Sequence, residues 1–234
     1  MPDADDVLMQ LRSLADADNV AGMARYGIAT AGTLGVSIPN LRALAKELRP
    51  MRKSDPEGLH ALAGALWDSG LHEARILAGL ADVPSLVTPE QADRWVADLD
   101  SWDVCDQLCS NLLDKTPFAV AKAEEWALAE PEFVRRAGFA MMAALTVHNK
   151  TAGDETFQRF LTLIERAADD ERNFVKKAVN WALRQIGKRN AALNAAALAT
   201  ARRLRDSESR AARWIAADAI RELESEAVRT RLGV

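Results

Sequence analysis

Apolar residues recur along most of the chain with the period of an amphipathic helix. In the clearest segment, residues 172–190, six apolar residues share one side of a helical projection: Val175, Ala178, Val179, Ala182, Leu183 and Ile186. No segment has the sustained alternation, bounded by hairpin turns, that indicates β-strands. The pattern therefore predicts an all-α protein.

The same periodicity places helices along nearly the whole sequence. Pro lies near several predicted helix starts, as in "SDPEG", "TPEQ" and "AEPEF", where its missing N–H group costs little. The predicted helices span residues 3–18, 39–49, 57–69, 72–82, 89–99, 102–115, 118–129, 132–148, 154–168, 173–188, 191–206 and 208–223. Because no long flexible linker separates them, we expect one domain over residues 1–234.

Two of the predicted helices share a short motif. "EFVRRAGFAMM" begins at residue 132 and "RNFVKKAVNWAL" at residue 172, and their common Phe-Val-basic-basic-Ala pattern is offset by 41 residues, from Phe133 to Phe174. A period near 40 residues built from helix pairs is typical of HEAT-like repeats, which stack into a curved solenoid. The alternative is a non-repetitive helical bundle with one accidental match.

Charge is distributed unevenly along the chain. The net charge is −4, but residues 1–171 carry 16 basic and 28 acidic side chains, whereas residues 172–234 carry 14 and 6. Such a split favours a basic surface that faces an anionic partner. The acidic N-terminus does not resemble a signal peptide, no apolar run is long enough to span a membrane, and the two cysteines suit reduced thiols. We therefore expect a cytoplasmic protein.

The most polarised helix is the basic one near the C-terminus. Lys177, Trp181, Arg184 and Lys188 lie on the side opposite the apolar residues, so the indole stands within a row of cations. In one interpretation Trp181 packs against a neighbouring repeat and the cations are only solvated. The interpretation that we favour is a nucleic-acid surface, in which cations neutralise phosphates and the aromatic ring offers a π face.

A glycine-rich stretch precedes the second predicted helix. Gly27, Gly32 and Gly35 come before a helix start at Ser37, and glycine lets backbone amides approach an anion closely. The stretch lacks the Gly-Lys-Ser/Thr ending of a Walker loop. A capped helix after a flexible turn is an equally good interpretation. Arg42 and Lys46, one turn apart on that helix, would suit a phosphate contact.

The segment "DSWDVCDQLC", residues 100–109, combines a tryptophan with aspartates and cysteines. On a helix, Trp102 and Asp106 are neighbours on the rim of an apolar face that contains Cys105 and Cys109. Asp103 is predicted to point away from that rim and to complement the helix dipole.

Other kinds of site fit this segment poorly. The cysteines lack a second ligand pair and the histidines are scattered, so we expect no metal site. Asp103 and Asp106 face unlike surroundings, which disfavours a paired-carboxylate acid–base site. One chemistry needs only a single carboxylate beside aromatic rings and cations. A nucleobase made cationic by alkylation departs neutral, so a carboxylate that stabilises the oxocarbenium-like sugar and positions water is sufficient.

Four segments in order resemble the AlkD-like DNA alkylation repair family of HEAT-repeat DNA glycosylases: "GVSIPNLRALAKEL", "SWDVCDQLC", "FVRRAGFAMM" and "FVKKAVNWALRQIGKRN". The resemblance covers nearly the full length. It implies that Trp102, Asp106, Arg136 and Trp181 form the catalytic site and that N3- and N7-alkylated purines are excised. It also implies that the aromatic rings contact the DNA backbone and that the lesion is not flipped into a deep pocket.

We therefore predict a monomer that acts on double-stranded DNA containing alkylated bases, without a metal or organic cofactor, and that associates with the nucleoid when bound. The predicted DNA contacts are Arg42, Lys46, Arg135, Lys177, Arg184 and Lys188. One alternative is a catalytically inactive HEAT-repeat protein that recognises bent or branched DNA. The other is a protein–protein scaffold.

Overall fold

A computed structural model describes residues 2–28 and 30–233. Over these ranges it contains helices and connecting turns but no β-strand, which confirms the all-α prediction. The helices are α1 (Ala4–Ser13), α2 (Ala17–Ala24), α3 (Ile38–Leu48), α4 (Met51–Ser54), α5 (Pro56–Asp68), α6 (His72–Ala81), α7 (Pro89–Ala97), α8 (Trp102–Asn111), α9 (Ala119–Trp126), α10 (Glu132–His148), α11 (Asp154–Ala167), α12 (Asn173–Gly187), α13 (Ala191–Arg205), α14 (Arg210–Leu223) and α15 (Glu226–Leu232), with a short 3₁₀ turn at Leu113–Lys115.

Several helices begin at the polar residues that the sequence places there. The side chains of Ser37, Asp55 and Thr88 each accept a hydrogen bond from the third residue of the helix that follows. These bonds satisfy backbone N–H groups that a helix start otherwise leaves without partners. Pro follows within the first turn of each, as the sequence predicts.

The single helix predicted for residues 3–18 is wrong, because the chain forms α1 and α2 there. The side chain of Asp16 accepts hydrogen bonds from the backbone N–H groups of Asp18 and Asn19. An aspartate in this position favours a new helix start over continuation of the previous helix. The sequence pattern also did not predict the short helices α4 and α15.

Contacts divide the chain into two compact units, residues 1–117 and 118–234. In the first unit α6 packs between α3 and α8. Helix α5 contacts α1, α6 and α7. Its core includes Trp67 of α5 and Trp95 of α7, whose rings stack with centroids 4.4 Å apart. The indole N–H of Trp67 donates to Asp98 at 2.9 Å, which satisfies a buried polar group.

The second unit contains the helix pairs α9–α10, α11–α12 and α13–α14, followed by the short helix α15. The motif-bearing helices α10 and α12 pack side by side, and the rings of Phe133 and Phe174 lie 5.4 Å apart. The next second helix, α14, packs against α12 in turn. The predicted repeat of about 41 residues is therefore a repeat of structure, in which equivalent helices form one layer.

No helix in the described ranges combines the length and hydropathy that a membrane crossing requires. The prediction of one domain over residues 1–234 includes Met1, Ala29 and Val234, which lie outside the described residues, and it stays a prediction.

Candidate functional site

The first unit contains a largely apolar cleft of about 620 Å³ between α2, α3, α6 and α8. Apolar side chains such as Ile28, Val36 and Ile76 line it, together with Trp102 and Asp106 of α8. The structure therefore places both of these predicted residues on one cleft. An apolar cleft with a few convergent polar groups is a typical ligand site.

Trp102 begins α8 and is held by a backbone contact. Its indole N–H donates to the carbonyl oxygen of Tyr26 at 3.1 Å, which joins α8 to the turn after α2. Asp106 lies one turn further along α8 and is half-buried. Cys105 and Cys109 are fully buried, so the prediction that they belong to the core is confirmed.

The prediction that Asp103 points away from this rim is wrong. Asp103 lines the same cleft, where one carboxylate oxygen is 2.9 Å from Nε2 of His72 and the other accepts from the hydroxyl of Ser101 at 2.5 Å. His72 begins α6, so the pair joins the starts of α6 and α8. Helical projection shows only the neighbours on one helix and could not identify a partner 31 residues away.

Burial and ion pairing have opposite effects on the pKa values of His72 and Asp103. Burial alone would lower the pKa of His72, but the hydrogen bond and negative charge of Asp103 outweigh it and raise that pKa above its usual value. For Asp103, burial would raise the pKa, yet His72 and Ser101 hold it below the usual value. Both shifts favour an imidazolium paired with a carboxylate beside Asp106.

The backbone amides of the glycine-rich turn bind a carboxylate of the protein itself. The backbone N–H groups of Leu34 and Gly35 donate to the carboxylate of Glu73 at 2.9 and 2.6 Å. Glu73 is buried in α6, so this contact fastens the turn before α3 to the wall of the cleft. The capped helix start at Ser37 is confirmed. The turn before it was expected to be flexible, but Glu73 fixes it at these two amides. The sequence did not single out Glu73, because nothing local marks it as their partner.

Arg42 and Lys46 lie on the exposed side of α3. Within the described part of the chain neither has an ion-pair partner, so both remain available to an anion. Their assignment as phosphate contacts stays a prediction.

In the second unit, Arg136 of α10 and Trp181 of α12 lie on adjacent packed helices. Arg136 is only 4% exposed, and its Nη1 donates to the carbonyl oxygen of Phe174 in α12 at 2.7 Å. Trp181 is half-buried, off the apolar stripe as predicted. The guanidinium is therefore a fixed charge within the fold. The assignment of Arg136 and Trp181 to the catalytic site stays a prediction.

The row of cations on α12 is partly neutralised by the fold. Arg184 and Lys188 each lie 2.5 Å from the carboxylate of Glu222 in α14, and Arg184 also lies 3.4 Å from that of Asp218. The sequence pattern did not reveal these ion pairs. The assignment of Arg184 and Lys188 as DNA contacts stays a prediction. Lys177 is exposed and has no ion pair among the described residues.

Arg135, the remaining predicted DNA contact, is half-buried and forms ion pairs within the second unit. Its guanidinium lies 3.0 Å from the carboxylate of Asp170 and 3.3 Å from that of Glu130. Burial would raise the pKa of Asp170, but its bonds to Arg172 and Arg135 hold that pKa below the usual value. Arg135 therefore serves the packing of α10 against the α11–α12 turn.

The structure thus assembles two pairs of the predicted catalytic residues. Trp102 and Asp106 share a cleft in the first unit, and Arg136 and Trp181 lie on adjacent helices in the second. That all four form one site stays a prediction. No cluster of three or more potential metal ligands occurs in residues 2–28 and 30–233.

Comparison with known proteins gives two positive results. The family model described as DNA alkylation repair enzyme matches residues 7–223. A solved structure, described as a new family of proteins related to the HEAT-like repeat DNA glycosylases with affinity for branched DNA structures, is similar with a TM-score of 0.78. It is 19% identical, over 99% of this chain and 97% of that one, and it shows that the fold is HEAT-like. No curated protein matches the chain.

Proposed function

The chain belongs to the DNA alkylation repair enzyme family, and on that premise we propose that it is a DNA glycosylase that hydrolyses the N-glycosidic bond of cationic N3- and N7-alkylated purines in duplex DNA. The observation that carries this proposal is the placement of Trp102 and Asp106 on an apolar cleft. A carboxylate beside apolar side chains interacts more strongly with positive charge than it would in water.

The proposed reaction needs no general acid. Alkylation makes the purine cationic, so it takes the electron pair of the C1′–N bond and leaves neutral. Positive charge then develops on the deoxyribose, where the carboxylate of Asp106 stabilises it. Water adds to C1′ and loses a proton to Asp106 or to solvent, which completes the abasic sugar.

The aromatic and cationic residues would hold the DNA around this step. The indole of Trp102, fixed by its bond to Tyr26, offers a face to the cationic base or the sugar. Trp181 would contact the sugar–phosphate backbone. Lys177, Arg42 and Lys46 are exposed and would bind phosphates directly.

A second candidate function is a catalytically inactive protein that binds bent or branched DNA. The similar solved structure, which is described as having affinity for branched DNA, favours it. A protein–protein scaffold is the third candidate.

Binding to DNA separates the scaffold from the other two candidates. We expect binding of a fluorescein-labelled duplex and a four-way junction to weaken steeply as NaCl rises, because phosphate contacts release counterions. No binding at low salt would favour the scaffold.

Base release separates the two DNA-binding candidates. We expect the protein to release 7-methylguanine from methylated duplex DNA above the spontaneous rate, measured by chromatography of the freed base. Tight junction binding without release would instead support the inactive protein.

A further inference from the structure

A second cleft, of about 380 Å³, lies at the C-terminal ends of α10 and α12. Four cationic residues line it: Lys150, Lys188, Arg189 and Arg231. Gln185 and Asn190 add neutral polar groups, and no lining residue in the described part of the chain carries a carboxylate. This cationic cleft belongs wholly to the second unit.

Arg189 supplies a fixed charge in this cleft. Its guanidinium donates to the carbonyl oxygens of Thr146 at 2.7 Å and Ala152 at 3.1 Å, and it lies 4.3 Å from the centroid of the Phe157 ring. These partners orient the group but are all neutral. The positive charge is therefore held in place without being compensated.

The remaining cations add to this charge. Arg231 of α15 donates to the carbonyl oxygen of Lys188 at 2.6 Å, again a neutral acceptor, and Lys150 is exposed. Neither has an ion-pair partner among the described residues. Two carboxylates contact residues that line the cleft. Glu222 is paired with Lys188 at 2.5 Å, whereas Asp154 accepts from the neutral amide of Asn190 at 2.9 Å and keeps its charge.

We propose that the cationic cleft binds a phosphate of the DNA backbone, beyond the contacts already assigned to α12. Lys188 belongs both to the cleft and to the row that contains Lys177 and Trp181, so the two surfaces are continuous. Guanidinium and ammonium groups both bind phosphate, and neighbouring cations without a carboxylate partner raise the local positive potential. The inference rests on the proposed function only in taking DNA as the ligand.

DNA fits better than a free anion because the unpaired cations Lys150 and Arg231 are exposed rather than enclosed. A polyanion can contact both of them and the α12 row at once. The excess of basic over acidic side chains in residues 172–234, 14 against 6, supports the same ligand.

The test is the salt dependence of binding to an unmodified duplex, measured by fluorescence anisotropy. We expect the slope of log K against log [NaCl] to become shallower by about one to two in the double variant Lys150→Ala/Arg231→Ala, because each lost phosphate contact lowers it by roughly one. The matched control is Arg166→Ala/Arg205→Ala, which removes two exposed arginines from α11 and α13. Its slope should equal that of the wild type.

An unchanged slope in the cleft variant, or an equal change in the control, would overturn the proposal. Titration with inorganic phosphate distinguishes the other source of the same chemistry. The cleft variant could lose phosphate binding while the salt slope of its DNA binding stays unchanged. That result would assign the cleft to a free anion and refute the DNA contact.

The two proposals fail in different ways. A wild type that binds DNA but releases no 7-methylguanine refutes only the glycosylase. A wild type that releases the base, with a cleft variant whose slope is unchanged, refutes only the cleft.

Discussion

Asp103 and Asp106 are one turn apart on α8 but have different surroundings. Asp103 is committed to His72 and Ser101, whereas Asp106 faces the apolar cleft beside Trp102. The His72–Asp103 pair ties the start of α6 to the start of α8, and so it positions the two residues on which the proposed chemistry depends. We treat His72 as a positioning residue.

The replacement His72→Gln should make the stability of the protein less dependent on pH. The raised pKa of His72 means that its pairing stabilises the fold fully below the unfolded value of 6.5, and less as the pH rises through the folded value. Because the pKa of Asp103 is lowered in the folded protein, its contribution to the free energy of unfolding is present above the unfolded pKa of 3.8. That contribution is lost as the pH falls through the pKa of Asp103 in the folded state. Urea unfolding should therefore show the largest difference between wild type and variant near pH 5 to 6, about 1–3 kcal/mol.

That difference should shrink on both sides of this window. A difference that stays constant from pH 5 to pH 9 would show that His72 contributes only packing.

Among the secondary-structure elements, the glycine-rich turn is bound to α6. The backbone N–H groups of Leu34 and Gly35 donate to Glu73 and so are not available to an external phosphate. The backbone of Gly35 has φ 79°, and a Cβ there would lie 2.1 Å from the carbonyl oxygen of Asp16. Glycine is therefore required by both the left-handed conformation and the close approach of the α2 cap.

The replacement Gly35→Ala should lower the free energy of unfolding by at least about 2 kcal/mol, from strain at positive φ together with the overlap. The matched control is Gly64→Ala in α5, where a Cβ has no neighbour within 4 Å. The control should be neutral or stabilising by up to about 1 kcal/mol, since alanine favours the helix. Equal effects of the two replacements in urea unfolding would contradict this account of the turn.

The α12–α14 contact decides how much positive charge the second unit presents. Burial would raise the pKa of Glu222, but Lys188 and Arg184 hold it below the usual value, as expected for a carboxylate that two cations share. The neutral replacement Glu222→Gln should release both cations, tighten duplex binding and steepen its salt dependence by about one to two.

A matched control for Glu222→Gln is Glu165→Gln, which unpairs Arg203 of α13. Anisotropy should show no change of slope in that control. Equal slopes in the two variants would mean that Arg184 and Lys188 do not reach DNA.

At the scale of the whole molecule, the sequence predicts the repeat well because a helix pair is a local unit. The offset of 41 residues from Phe133 to Phe174 reappears as two rings in contact. The HEAT-like fold follows from the same periodicity.

Interactions between helices could not be predicted in this way. The partner of Arg184 lies 38 residues away in the next repeat, and Glu73 reaches Gly35 across the same distance. A helical projection treats each helix alone, so it shows which side chains are polar but not which of them neutralise each other. The correction at Asp103 and the unpredicted ion pairs of the α12 cations have this same physical origin.

The proposed reaction depends on Asp106, whose carboxylate stabilises the charge that develops on the sugar. Its most direct test is the single-turnover rate of base release from a duplex with one 7-methylguanine, with Asp68→Asn, an exposed carboxylate of α5, as the isosteric control. We expect the wild type and the control to exceed the spontaneous rate. Asp106→Asn should still bind the duplex but release the base about 10²–10³-fold more slowly. A wild-type rate equal to the spontaneous one, or an Asp106→Asn rate equal to the wild type, would contradict the proposed reaction.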